Sequence, residues 1–137
     1  MASVIPREVK KEIIDGYIAE TWKVALLTNA FTYVSGTHIL YANLTNEVAS
    51  SAWYTTGGNA VTKSAWGAGS GYVDTTNAML DATDVQWTGA TFTARYAAVY
   101  ETTGGKIRAI YDFAADKTVT GGTFTIQWSA NGLIKIS

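Results

Sequence analysis

From Asp84 to Ile136 the chain alternates apolar and polar residues in short runs separated by paired glycines, and a period of two restricts such a sequence to β structure. Across Thr91 to Tyr100, the residues Phe92, Ala94, Tyr96, Ala98 and Tyr100 fall on one side, with Thr93, Arg95, Ala97 and Val99 on the other. A turn is expected at Gly104-Gly105, followed by a strand that carries Ile107, Ala109, Tyr111 and Phe113 on one face. Gly121-Gly122 is expected to open a further strand, in which Phe124, Ile126 and Trp128 alternate with Thr125 and Gln127. Asn131-Gly132 then returns the chain into Leu133 to Ile136, because both residues of an Asn-Gly turn tolerate positive φ. Sandwiches bury like faces together, which predicts a shared core of Phe92, Tyr96, Ala98, Ile107, Ala109, Phe124, Ile126 and Trp128. The fold class expected is mainly β, an antiparallel β-sandwich.

The first third has a helical rhythm. Pro6 suits a first turn, and Val9, Ile13, Ile14, Tyr17 and Ile18 recur at helical spacing, with Gly16 as a stop signal. The spacing predicts a short helix over 6–15. It can pack across an edge or end of the sandwich, while 1–5, with Val4 and Ile5, serves as an N-terminal arm toward a neighbouring subunit. Trp22 to Leu27 reads as a strand ended by Thr28-Asn29. Ile39 to Leu44 reads as extended, Asn46 to Ser51 as a turn or single helical turn, and Gly57-Gly58 as a break. Ser64 to Gly71 is rich in small residues around Trp66 and reads as flexible backbone. Met79 to Asp81 and Asp84 to Trp87 resume strand character around a turn at Asp81 to Asp84. With no internal repeat or linker, residues 1–137 are expected to form a single domain.

Only 15% of the 137 residues are charged, against about 25% in ordinary globular proteins. The net charge of −1 with scattered signs provides no field for phosphates, so no nucleic-acid partner is expected. No apolar run approaches the roughly 20 residues of a membrane span, and acidic residues occupy the place of a signal peptide's apolar region. A protein made in the cytoplasm, with no membrane partner, is expected. The absence of cysteine leaves the redox compartment open.

Catalytic chemistry finds few candidates. His38 is the single histidine and lies in a loop, where a solvated or hydrogen-bonded imidazole is expected rather than a base. Asp81 and Asp84 are too close in a turn to face a sugar from opposite sides, as glycoside hydrolysis requires. They suit Asx turns instead. Asp74, Asn77, Asp81 and Asp84 offer oxygen to calcium without the twelve-residue loop pattern. The glycine pairs lack the lysine and spacing of a phosphate loop. No catalytic residue, cofactor or metal site is therefore expected, and the protein is not expected to be an enzyme. Arg95 and Arg108 interrupt strands in which threonine or valine would pack better. They either cover apolar neighbours with their stems or form planar bonds across a subunit contact. Of the 5 Trp and 8 Tyr, Trp22, Trp87 and Trp128 fall in patterned strands and are expected in the core. Trp53, Tyr54, Trp66 and Tyr72 fall in the glycine-rich middle, where they can anchor a protein interface or stack on sugars.

Lys23-Val24-Ala25-Leu26-Leu27-Thr28, Tyr41 to Leu44 with Asn46-Glu47-Val48, and Tyr54 with Gly57-Gly58 follow one another in an order that resembles small virion proteins of tailed bacteriophages. Asp84-Val85-Gln86-Trp87, Thr91 to Ala97, Val99-Tyr100, Tyr111-Asp112-Phe113 and Phe124 to Trp128 with Asn131-Gly132 follow the same pattern. The likeness runs from Lys10 to Ile136, with the Trp66 to Tyr72 region resembling an insertion. It implies a capsid decoration or cement protein, a jelly-roll-like sandwich that binds the major capsid protein on the capsid surface, often as a homotrimer. Low charge favours this role, since each ion buried without a partner costs several kcal/mol. The interface residues expected are Val4, Ile5, Trp53, Tyr54, Trp66, Tyr72, Arg95 and Arg108. The alternative is a tail or fibre component acting as a glycan-binding receptor module.

Overall fold

The computed structural model describes residues 3–65, 77–129 and 132–136, so Trp66, Tyr72, Asp74 and Asn131 lie outside the described residues. The fold is mainly β, as expected, with antiparallel sheets and, among the described residues, one α-helix. The chain divides into two compact units whose segments interleave along the sequence. The first comprises Met1–Glu20, Thr62–Asp84 and Gln127–Ser137, the second Thr21–Val61 and Val85–Ile126.

In the first unit, helix α1 (Arg7–Ala19) packs on a sheet of β3 (Lys63–Ala65), β4 (Ala78–Ala82) and β7 (Ile134–Ile136), with β4 central. The Pro6 carbonyl accepts the N–H groups of Val9 at 3.1 Å and Lys10 at 3.3 Å, which starts the helix at the expected place. Its end differs from the expected 6–15. Gly16 costs only about 1 kcal/mol relative to alanine in a helix, and continuing through it brings Tyr17 and Ile18 into partial burial. The helix stops where the Glu20 N–H turns back to the Tyr17 carbonyl at 3.2 Å. Lys10 and Ile14 are its buried residues, whereas Val9 and Ile13 stay exposed. The apolar stripe thus divides between a packed and an open side.

Gly132, at φ +76°, donates to the Ser129 carbonyl at 2.9 Å, and a Cβ there would sit 2.4 Å from the Leu80 carbonyl oxygen. Leu133 N–H can then reach that oxygen at 2.7 Å and align β7 with β4. Trp128 is half-buried in this unit, its Nε1 donating to the Thr83 carbonyl at 2.9 Å. It therefore does not join the predicted core.

The second unit is a four-stranded sheet in the order β2 (Asn59–Val61), β1 (Trp22–Leu27), β5 (Val85–Glu101), β6 (Ile107–Ile126). Strand β1 (Trp22–Leu27) has the predicted limits and is buried at every position but Lys23, between β2 (Asn59–Val61) and β5 (Val85–Glu101). The predicted runs from Asp84 to Tyr100 merge into β5, 17 residues long, and those from Ile107 to Ile126 merge into β6 (Ile107–Ile126), 20 residues long. Gly121-Gly122 does not open a strand. It lies within β6, where Gly122 faces Ala90, and Gly121 at φ +58° accommodates one extra residue on β6 while Gly89 at φ +59° accommodates one on β5. The paired glycines there are bulge positions, which bend a ribbon without ending it.

A third irregularity is larger. Between Tyr96↔Asp112 and Ala94↔Lys117 the ladder advances two residues on β5 and five on β6, with Ala114 at φ +65°. These bends fold the start of β5 back, so that Asn59 Nδ2 on β2 donates to the Gln86 carbonyl at 3.0 Å. The Gly104-Gly105 turn is present as expected. The Glu101 carboxylate holds it, accepting the N–H groups of Thr103, Gly104 and Lys106 at 2.8, 2.8 and 3.0 Å.

The predicted core divides as well. Phe92 and Phe124 lie 5.2 Å apart between ring centroids, in a cluster with Trp87, Tyr54 and Phe113. Ala98 instead packs with Leu27 and Phe31, against which Tyr96, Ile110 and Leu44 are half-buried. Ile107 and Ala109 are half-buried on β6, the sheet's edge strand. Replacing Phe124 by alanine should cost about 3 to 5 kcal/mol in urea unfolding, whereas Trp128→Ala should cost clearly less because Trp128 is only half-buried.

Candidate interaction surfaces

Beyond Val24 the β1 edge has no β2 partner, and the segment around Glu47 completes it. Val48 N–H donates to the Leu26 carbonyl at 2.9 Å, Thr28 N–H to the Asn46 carbonyl at 2.8 Å, and Glu47 bridges Leu27. Leu26 N–H donates to the Tyr54 hydroxyl at 2.9 Å. The Glu47 carboxylate then accepts the hydroxyls of Tyr54 and Tyr41, both at 2.6 Å, and the Gly57 N–H at 2.7 Å. Tyr100 stacks on Tyr41 at 4.4 Å and donates to the Gly57 carbonyl at 2.7 Å. Burial, followed by the hydrogen bond to Glu47, pushes the phenols of Tyr54 and Tyr41 well above the usual range, and burial raises Tyr100 too. Tyr41 to Asn43 forms one tight 3-10 turn instead of the expected extended run, with Asn43 Oδ1 accepting the Leu40 N–H at 3.0 Å.

This arrangement corrects one interface assignment. Tyr54 is only 1% exposed and its hydroxyl is used inside the unit, whereas its neighbour Trp53 is 44% exposed. The aromatic ring of Tyr54 fits the pocket formed by Trp87 and Phe92, and its oxygen replaces a missing strand partner. No local sequence signal separates the two neighbours.

Val4 and Ile5 are exposed ahead of α1, at 86% and 51%, and with Val9 and Ile13 they leave an apolar run on the first unit. Val9 and Ile13 are spaced i, i+4 and so are neighbours on the surface of α1, while Val4 and Ile5 precede its first turn.

On the second unit, Arg95 Nε donates to Asp112 Oδ1 at 2.7 Å and its NH2 group lies 3.4 Å from Oδ2. Its guanidinium also sits 5.4 Å from the Tyr96 ring centre. Arg95 therefore directs its fork to its own chain. The Arg95 bond, and then the Ala114 N–H at 2.8 Å, hold the Asp112 carboxyl below its ordinary range. Arg108, half-buried on β6, lies where its charge helps to lower the Glu101 carboxyl, after the backbone bonds from Lys106, Gly104 and Thr103. Burial lifts the Tyr111 phenol to about 12.

Near Asp112 opens a pocket of about 490 Å³ lined by Thr32, Tyr33, Tyr96, Ile110 and Asp112. His38 supports one wall. Its Nδ1 accepts the Val34 N–H at 2.8 Å and its ring lies 5.0 Å from Phe31 and 6.0 Å from Tyr33. In the sequence Tyr96 is assigned to the core, and none of the five lining residues is given a binding role. Asp112 carried the one available signal, a carboxylate between Tyr111 and Phe113 in a strand. Among the described residues no three metal-ligating side chains converge.

No family model, curated protein or solved structure matches the chain.

Tyr54→Phe removes the acceptor of Leu26 N–H and one donor to Glu47, and should cost about 1 to 3 kcal/mol. Trp53→Ala should change stability by less than about 0.5 kcal/mol. Paired urea titrations compare the two. The raised phenols also set an alkaline limit. Their contribution is complete below the unfolded tyrosine pKa of about 10 and declines as pH rises beyond it, because the unfolded chain releases phenolic protons that Tyr41 and Tyr54 retain. Stability measured from pH 8 to 12 should fall less steeply in Tyr41→Phe/Tyr54→Phe than in the wild type.

Proposed function

We propose that this protein is a structural component of a tailed-phage virion, a decoration or cement protein that binds the major capsid protein and stabilises the shell from its outer surface. The observation that carries the reading is the exposed apolar run Val4, Ile5, Val9 and Ile13. Helix α1 buries Lys10 and Ile14, while Val9 and Ile13 on it and Val4 and Ile5 ahead of it leave apolar area open to a neighbouring subunit. Covering that run against another subunit removes apolar area from water at about 25 cal/mol per Å². The resemblance to phage virion proteins read in the sequence from Lys10 to Ile136 is the second support for this reading.

Self-association as a homotrimer belongs to this proposal. Exposed Trp53 and the half-buried Arg108 on edge strand β6 are the second unit's candidates for contact.

Two alterations test the arm and helix. Deleting residues 1–5, or replacing Val9 and Ile13 by lysine, should leave the melting temperature close to that of the wild type while reducing occupancy on phage heads stripped of this subunit by about ten-fold or more. Full decoration by the lysine variant, read by cryo-electron microscopy, would remove the proposal. Light scattering that gives a monomer at all concentrations, with no threefold clusters on the particle, would remove the trimer.

A further inference from the structure

The pocket beside Asp112 has features that attachment to a capsid does not call for. Tyr33 is about half exposed at its mouth, and Tyr96 and Ile110 form half-buried walls. The walls are held in place before any ligand arrives: Phe31 lies edge-on to Tyr96 at 5.5 Å and tilted to His38 at 5.0 Å, and His38 backs Tyr33 with its ring fixed by Val34 N–H. Aromatic side chains so fixed offer flat apolar surface at little further cost in conformational freedom.

The polar end is equally defined. Asp112 Oδ1 accepts from Arg95 Nε and Ala114 N–H, both within 2.8 Å, whereas Oδ2 has only the 3.4 Å approach of the Arg95 NH2 group. Oδ2, with two lone pairs and one long bond, retains acceptor capacity, and both Asp112 and the hydroxyl residue Thr32 line the pocket. The charge state selects among ligands. Asp112 is already neutralised by a guanidinium at 2.7 Å, so an incoming cation would compete with Arg95, and an incoming anion would meet the carboxylate. A neutral ring with an apolar face and hydroxyls on its rim suits both the walls and the remaining lone pairs. A volume near 490 Å³ lies in the range of small-molecule pockets, roughly 300 to 1,000 Å³, and accommodates one or two sugar rings.

We propose that the pocket formed by Thr32, Tyr33, Tyr96, Ile110 and Asp112 is a binding site for a neutral carbohydrate, stacked on Tyr33 and hydrogen-bonded to Asp112 Oδ2. Arg95 is a positioning residue, fixing the carboxylate through Oδ1. The site lies wholly on the second unit, and it is independent of the arm and helix argued to reach the capsid.

Saturation-transfer NMR of the full chain with methyl glycosides of glucose, galactose, mannose and N-acetylglucosamine tests it. At least one glycoside should receive saturation on its ring protons with millimolar affinity, and Tyr33→Ala should weaken that binding by about ten-fold or more. Tyr33 is exposed, so this variant should keep the wild-type melting temperature. Trp53→Ala, which alters an exposed aromatic outside the pocket lining, should bind as the wild type does. Absence of transfer to all four glycosides overturns the proposal, as does binding that survives Tyr33→Ala or is lost in Trp53→Ala.

Discussion

The carboxylate of Glu47 is the point on which the second unit's architecture turns. Strand β1 pairs with β5 along its whole length but with β2 only from Trp22 to Val24. The remaining edge lies in a buried region, where an unmet N–H or carbonyl costs about 1 to 3 kcal/mol. The chain meets that requirement with a segment that is not a strand. Asn46 turns at φ +61°, Val48 and Thr28 supply the backbone bonds, and Tyr54 reaches in to accept the N–H of Leu26. A tyrosine hydroxyl that accepts from the backbone still has a proton to place, and Glu47 takes it. The same carboxylate fixes Tyr41 and the Gly57 turn, so three donors from the β1–β2 connection converge on one side chain.

That convergence also determines where β2 can lie. At Gly58 a Cβ would fall 1.8 Å from the Val24 carbonyl oxygen, so only glycine allows the chain to approach β1 this closely before pairing. Tyr100 holds the adjacent Gly57 carbonyl. The long β5–β6 ribbon then bends at its bulges until Trp87 and Phe92 meet the Tyr54 ring from the other side. Tyr54 thus joins the aromatic cluster of the ribbon to the backbone of β1. The indole N–H of Trp87 is buried in that cluster with no hydrogen-bond partner among the described residues, while its ring packs edge-on against Phe92 and Phe124.

Elements decided by local chemistry were legible in the sequence. β1 followed from its compact apolar composition, the start of α1 from Pro6, and the Gly104-Gly105 hairpin from its glycines. Elements decided by long-range pairing were not. Gly121 and Gly122 carry the same local signal as Gly104 and Gly105, because a bulge and a turn both need positive φ. What differs is whether a partner strand continues beyond them, and β5 does. Trp53 and Tyr54 are indistinguishable by position, and their opposite fates depend on the unpaired edge of a strand 28 residues away from Tyr54. The Tyr33 pocket was invisible for the same reason: its wall residues come from a loop and from two strands whose register is set by the bulge after Asp112.

The few carboxylates in this chain explain how a poorly charged surface and an irregular backbone coexist. Glu47 receives an amide at the Gly57 turn, Glu101 receives three at the hairpin, and Asp112 receives one at the five-residue bulge together with its bond to Arg95. Each acid stands where the backbone leaves regular pairing and amides would otherwise lack acceptors. A charge-assisted bond is roughly twice as strong as a neutral one, so one carboxylate stabilises a bend that several neutral side chains would be needed to hold. Charge is thereby committed to shaping the chain. The aromatic wall of the pocket is accordingly a surface that can be desolvated without stripping water from an unpaired ion, since Asp112 is already paired with Arg95.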